Sequence, residues 1–378
     1  MFSGIVVPAP FPAHDCSGPA HRAGGVTLRL PEPSGPHAVG VIALHLVDPS
    51  RNDPWDSGIE GRELMVSAFY PAGDVRGCPV APHLTPAAAE AFAVIDPVAH
   101  PELPTEGVDW AATRSHSHVG APVLPGRWPV LLHSPGGADP RTFGTGLAEE
   151  LASRGHVVLS FDHPGETTEV EFPGGRLRTI SMPGDPRADP QLFRRMLATR
   201  VADTRFVLDA VTELPGSDAV PEDLARALDV TRIGMYGHSA GGATAAEALY
   251  EDSRLKAAIN LEGYLDLLPE RPGEDGALLP VAEHGVDRPL LLLGTDGFRD
   301  ERFERTWRAV LDRGSASWEQ LTDANHWVFT DHGVVAPQLQ AAGLMSEEDR
   351  IRLVGAIDPA DSVRAIRHHV LGFFAENL

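Results

Sequence analysis

Lysine is almost missing from this chain. Lys256 is the single lysine among 31 basic residues, and 53 acids give a net charge of −22. So acidic a chain does not bind nucleic acid or an anionic membrane through bulk charge. Cysteine is scarce too. Cys16 and Cys78 cannot build a disulfide framework or a cysteine-based metal centre. They are expected as unpaired thiols, with a single bridge as the alternative. The first thirteen residues lack a basic leader and are interrupted by Pro8, Pro10 and Pro12. They read as neither a signal peptide nor a membrane span. The expected location is the cytoplasm, or outside the cell if the chain is a trimmed mature form. His116 and His118 stand one residue apart, as two metal ligands could. No carboxylate or cysteine has a matching spacing, so they read as solvated loop histidines.

What is present is ordinary globular material. The 378 residues are 42% hydrophobic and 22% charged, enough for one large domain or two small ones. Residues 1–25 are rich in Pro, Gly and Ala and are expected to wrap irregularly. Residues 26–30, 39–47 and 62–71 run or alternate apolar and predict the antiparallel start of a sheet. Residues 72–127 carry one helical patch, 86–94. At that length they are expected to border a pocket. From residue 128 strands and helices alternate: strands at 128–133, 156–161, 233–238, 255–261, 289–294 and 316–321, helices at 142–154, 191–214, 300–312, 346–354 and 359–377. Residues 263–288 are Pro- and Gly-rich and read as a second cap segment. This predicts an α/β fold in which residues 26–378 form a single domain. Its sheet is mostly parallel, with antiparallel N-terminal strands and helices on both faces.

The stretch from Ile233 to Gly242 carries the chemistry. An apolar run leads into Gly237-His238-Ser239-Ala240-Gly241, and small helix-forming residues follow. That is the strand–turn–helix setting of a nucleophile elbow. A serine hydroxyl needs a base, and His326, in the loop after the last strand, is the candidate, with His332 next. An acid must orient the imidazole. Glu262 and Asp296 end the first and second strands after the elbow, and the residues alone leave both open. Two backbone donors are needed for an oxyanion. One is Ala240 N–H, and the other is expected from the Gly-rich turn 134–138.

Taken together these stretches resemble a known family. His133 to Gly137 with Arg141 to Phe143, Leu151 to Val158, Asp162-His163, Arg205 to Asp209, the elbow, Asn260 to Gly263 and Asn325 to Asp331 carry the likeness. The chain resembles the α/β-hydrolase superfamily and, within it, the secreted-type platelet-activating factor acetylhydrolases and their bacterial esterase relatives. The family places its acid after Leu in the position of Glu262, which the resemblance favours over Asp296. It implies Gly137 N–H as the second oxyanion donor. The implied activity is hydrolysis of a small-molecule ester or acyl substrate through an acyl-enzyme, without metal or organic cofactor. Gly136, His163, His238 and Trp327 are the candidate pocket residues. Gly137 and Ala240 replace bulkier family residues, which implies an acyl site roomier than an acetyl-specific one. An acyltransferase, thioesterase or amidase on the same scaffold is the alternative chemistry. A catalytically silent small-ligand binding protein is the alternative of another class.

Overall fold

The computed structural model describes residues 4–9, 25–214, 220–271 and 273–378. Cys16, and with it the question of a Cys16–Cys78 bridge, lies outside them. The chain begins with strands β1 (Ile5–Ala9), β2 (Ala38–Asp48), β3 (Arg62–Ala72) and β4 (Val80–Pro82). Helix α1 (Pro86–Ala99), β5 (Arg114–Val119), β6 (Trp128–Ser134), α2 (Thr145–Ser153) and β7 (Val157–Phe161) follow. A small hairpin, β8 (Val170–Phe172) and β9 (Arg176–Arg178), precedes the long α3 (Pro190–Glu213) and the short α4 (Glu222–Ala227). Next come β10 (Leu228–His238), α5 (Ala240–Glu251), β11 (Leu255–Leu261), α6 (Pro280–His284) and β12 (Leu290–Thr295). The chain closes with α7 (Glu301–Leu311), β13 (Ala316–Leu321), α8 (His332–Ala341), α9 (Glu347–Val354) and α10 (Pro359–Asn377).

Among the described residues these strands form an 11-stranded sheet in the order β13-β12-β11-β10-β6-β7-β3-β2-β5-β4, with β1 also on β2. From β13 to β7 every pairing is parallel. β3 is antiparallel to both β7 and β2. The Leu290 to Leu293 run shows why the parallel strands read as unbroken apolar text. Leu290 and Leu292 pack into one core with α3, α5 and α7, and Leu291 and Leu293 into the other with α2, α8 and α10. Both faces are covered, so no position can be polar.

Three sequence readings differ from this structure. Residues 26–30 were expected as a strand, but Val26 makes a single bridge to Val108. Arg29 instead trades hydrogen bonds with the Gln338 side chain on α8. The third antiparallel partner comes from within the stretch expected to be irregular: Ile5–Ala9 pairs with Ala43–Val47. Pro8 is tolerated because β1 is an edge strand. Residues 72–127 do not merely cover the sheet. β5 joins it beside β2, and β4 extends it. The segment does border a cavity of about 330 Å³, through Ala81, His83, Thr85 and Ser115, but Ser239 does not line it. No described helix is long and apolar enough to cross a membrane.

Candidate active site

β10 ends at His238 and α5 begins at Ala240, so Ser239 is the whole of the turn between them. Its backbone is held at φ 54° and ψ −119°, a left-handed conformation that costs a non-glycine residue of order 1–3 kcal/mol. The surroundings enforce it. A Cβ on Gly237 would lie 2.2 Å from Gly241 O, and one on Gly241 would lie 2.0 Å from Ser134 O. Ser239 N–H donates to Leu261 O at 2.8 Å, and Ser239 O accepts from Ala243 at 3.0 Å. The residue is half-buried, at the open N-terminus of a 12-residue helix, where free N–H groups and the helix dipole favour negative charge.

The turn after β11 is built with equal constraint. Glu262 also has a positive φ, 62°. Asn260 clamps the turn by accepting from Gly263 N at 2.6 Å and donating to Gly263 O at 2.9 Å. Gly263 is required because a Cβ there would sit 2.3 Å from Ser239 O. This packing locks the turn of Glu262 onto the turn of Ser239. The Glu262 carboxylate is 1% exposed. Its Oε1 accepts from the Thr295 hydroxyl at 2.6 Å and from Thr295 N–H. Its Oε2 accepts from His326 Nδ1 at 2.9 Å. Asp296 is turned elsewhere, accepting from the backbone N–H groups of Asp323 and Ala324. It fixes the loop that carries His326 and does not touch the ring.

His326 is 8% exposed. Its carbonyl accepts from His238 Nε2 at 2.9 Å, which ties it to the residue preceding Ser239. Phe298 stacks on the imidazole with ring centres 3.9 Å apart and planes 21° apart. With Nδ1 committed to Glu262, Nε2 is the nitrogen left for the serine. No hydrogen bond joins it to the Ser239 hydroxyl among the described residues; such contacts commonly tighten only around substrate. Burial moves the two groups in opposite directions, because each loses the hydration of its charged form. Glu262 is pushed up to about 8 against the Thr295 hydrogen bonds. His326 is pushed down to about 3, with the nearby His100 adding to the effect.

The turn after β6 packs against the elbow, where a Cβ on Gly241 would also lie 2.5 Å from Pro135 O. Gly137 is half-buried, and a Cβ there would meet nothing within 4 Å. Its backbone is held from below by Arg200, whose guanidinium donates to Pro135 O at 2.7 Å and Gly136 O at 3.1 Å. Arg200 is itself fully buried against Glu166 at 2.6 Å. Two charge-assisted hydrogen bonds from one buried guanidinium hold the turn in place.

Of the four candidate pocket residues, the structure leaves only Trp327 half-buried. His163 is 0% exposed. Burial holds its imidazole down near 3, hence neutral. It accepts from the Ser134 hydroxyl at 2.9 Å and donates to Asp203 at 3.0 Å. His238 is likewise buried, and Gly136 is covered by His238 and Asp139. These three support the site from within and do not line it. His332, the alternative base, is 0% exposed and remote from Glu262's hydrogen bonds. His116 and His118 spend a ring nitrogen each on the carbonyls of Leu30 and Cys78. Thr295, Phe298 and Arg200 escaped the sequence reading. Each acts across 28 residues or more of chain, and no local pattern marks them. Trp55, Leu192 and Met196 form a buried apolar cluster, with Met182, Phe193 and Ala240 packed against it. Segments 55 and 182–196 therefore pack beside the elbow.

The solved structure of a ferulic acid esterase from Streptomyces cinnamoneus superposes with a TM-score of 0.74 at 32% identity, covering 93% of this chain and 94% of that one. The chain belongs to the platelet-activating factor acetylhydrolase-like esterases of the α/β-hydrolase fold. The family described as platelet-activating factor acetylhydrolase, isoform II, matches residues 211–378. A probable 1-alkyl-2-acetylglycerophosphocholine esterase of Arthroderma benhamiae is 29% identical, covering 92% of this chain and 88% of its own. The platelet-activating factor acetylhydrolase of Gallus gallus is 24% identical over 67% of this chain and 62% of its own. Carboxylic ester hydrolysis is the chemistry of this esterase family, and the chain is a member of it.

Proposed function

We propose that Ser239 is the nucleophile, His326 the general base and Glu262 the residue that orients His326. In this reading the Ser239 oxygen attacks the ester carbonyl carbon while Nε2 of His326 takes its proton. The N–H groups of Ala240 and Gly137 receive the oxyanion. The alcohol leaves with the proton from His326, and an acyl-enzyme remains. Water then gives its proton to His326 and adds to the acyl carbon, and His326 returns the proton to the Ser239 oxygen as the acid leaves. The observation that carries this reading is the 2.9 Å bond from His326 Nδ1 to Glu262 Oε2 beside the strained Ser239 turn.

The pH dependence follows from the raised Glu262. When the pair holds an extra proton, it sits on the carboxyl, the ring proton moves to Nε2, and no lone pair faces the serine. Losing that proton restores the carboxylate, Nδ1–H and a bare Nε2. Activity therefore rises with pH. The acid limb of kcat/KM is expected near 8, well above the ordinary carboxylate value of about 4.3. Glu262→Gln is expected to lower kcat by about 10²- to 10⁴-fold. It should also move the limb down toward the depressed value of His326. A limb left unmoved in that variant would assign it to another group.

The substrate class proposed is esters with an acyl part larger than acetyl. The apolar wall of Trp55, Met182, Leu192, Phe193 and Met196 beside Ala240 supports this. A hydroxycinnamoyl group, as in the name of the ferulic acid esterase, is an aromatic instance. Two more buried methylenes are worth about 1.6 kcal/mol. A p-nitrophenyl butyrate is therefore expected to exceed the acetate by about tenfold in kcat/KM. Turnover confined to acetyl esters in an ester panel would refute it. Acyl transfer is separated from hydrolysis by product partition with added alcohols.

A further inference from the structure

Behind the His326 loop lies a cluster that the ester chemistry leaves unused. Asp96 and His100 stand four residues apart at the end of α1, on one face of the helix. His332 is the first residue of α8. All three are buried, at 0%, 1% and 0% exposure. Their potential ligand atoms lie within 4.8 Å of one another. Asp96 Oδ2 and His100 Nδ1 are 3.1 Å apart. That separation suits two ligands each about 2.0–2.2 Å from one ion.

The polar atoms here are conspicuously short of partners. Asp96 Oδ1 and both ring nitrogens of His332 have none among the described residues. A buried polar atom left so costs about 1–3 kcal/mol, and such groups point to an ion or water. Among the described residues, Asp96 pairs with His100 and with no arginine or lysine. The other nitrogen of His100 faces Asp139 Oδ1 at 3.6 Å. Neither atom has a hydrogen-bond partner among the described residues.

We propose that Asp96, His100 and His332 form a binding site for a divalent transition-metal ion, zinc(II) by its ligand set. Two imidazoles and one carboxylate match zinc, whereas calcium and magnesium take oxygen ligands. The site is structural. It fastens the end of α1 to the start of α8. Trp327 stands edge-on to His100, with ring centres 4.2 Å apart and planes at 89°. The ion thus buttresses the loop that carries His326 from the side away from substrate.

A site this enclosed fills during folding, so the test uses protein produced in zinc- or cobalt-supplemented medium. Elemental analysis of the purified full chain is expected to give about one zinc per chain, and the cobalt form to show tetrahedral visible bands. His332→Gln and Asp96→Asn should each lose at least nine-tenths of the metal, while His368→Ala keeps it. Metal loss should lower the wild-type Tm by several degrees. Wild type free of metal from both media overturns the site, as does full occupancy in both ligand variants. If those variants fail to fold, the wild-type metal content and cobalt spectrum still decide. None of these readouts depends on which residues perform the ester chemistry.

Discussion

Ser239→Ala is expected to lower kcat for ester hydrolysis by about 10⁴- to 10⁶-fold. The loss should come without a matching loss of fold. Alanine keeps the Cβ that the turn already accommodates at φ 54°, so stability should change by less than about 1 kcal/mol. The variant removes the atom that bonds to the acyl carbon but leaves the N–H groups of Ala240 and Gly137. Some catalysis above background therefore persists. A fluorophosphonate should label the wild type once per chain and leave the variant unlabelled. Hydrolysis surviving at wild-type rate would end the assignment of Ser239. An unlabelled, inactive wild type would instead favour a silent binding protein.

The second large effect is on stability, and it lies in the buried network behind the turn of Gly137. Arg62→Ala is expected to destabilise the fold by about 3–5 kcal/mol, a large share of a typical total of about 5–15 kcal/mol. The Arg62 side chain is wholly buried. It reaches Asp203 through two nitrogens at 3.1 and 2.7 Å, Asp53 at 3.0 Å and Pro164 O at 2.8 Å. Its guanidinium holds the Asp203 carboxyl far below the ordinary carboxylate range, against the cost of burial. Removing it leaves Asp203 with Arg51 and Asp53 with Arg178, and takes away the one guanidinium that bridges the two buried carboxylates. The denaturant midpoint should fall with its slope unchanged. Arg76→Ala, which breaks an exposed pair with Asp74, should leave the midpoint unmoved. Asp203 also receives a bond from His163, which in turn accepts from Ser134 at the foot of the oxyanion turn. Some loss of kcat is therefore expected with Arg62→Ala even where the chain stays folded. A midpoint like the wild type's would show the network to be dispensable.

The parallel half of the sheet was readable residue by residue because its strands are buried on both faces. Apolar runs such as Leu290 to Leu293 have no other soluble use. The elbow was readable because close packing forbids a side chain at Gly237 and Gly241. The N-terminal strands were read less well. An edge strand such as Ile5–Ala9 needs only one apolar face and one neighbour, and Pro8 disguises it. Val26 to Leu30 has the alternation of a strand but finds α8 beside it instead of a partner. His163 belongs to a stretch that carries the family resemblance, and with that it reads as a pocket residue. Only the buried ions of Asp203 and Arg62 reveal it as a supporting residue.

By itself, then, the order of residues determined the α/β class and the turn at Ser239. Both rest on local rules: what one backbone can adopt, and which side chains must leave water. Tertiary structure alone decided that Glu262 and not Asp296 meets His326, that Arg200 pins the turn of Gly137, and that Asp96 and His100 converge on His332. Those pairings depend on angles and distances set by the packing of whole elements. Partners this far apart in the chain leave no mark on the spacing of either.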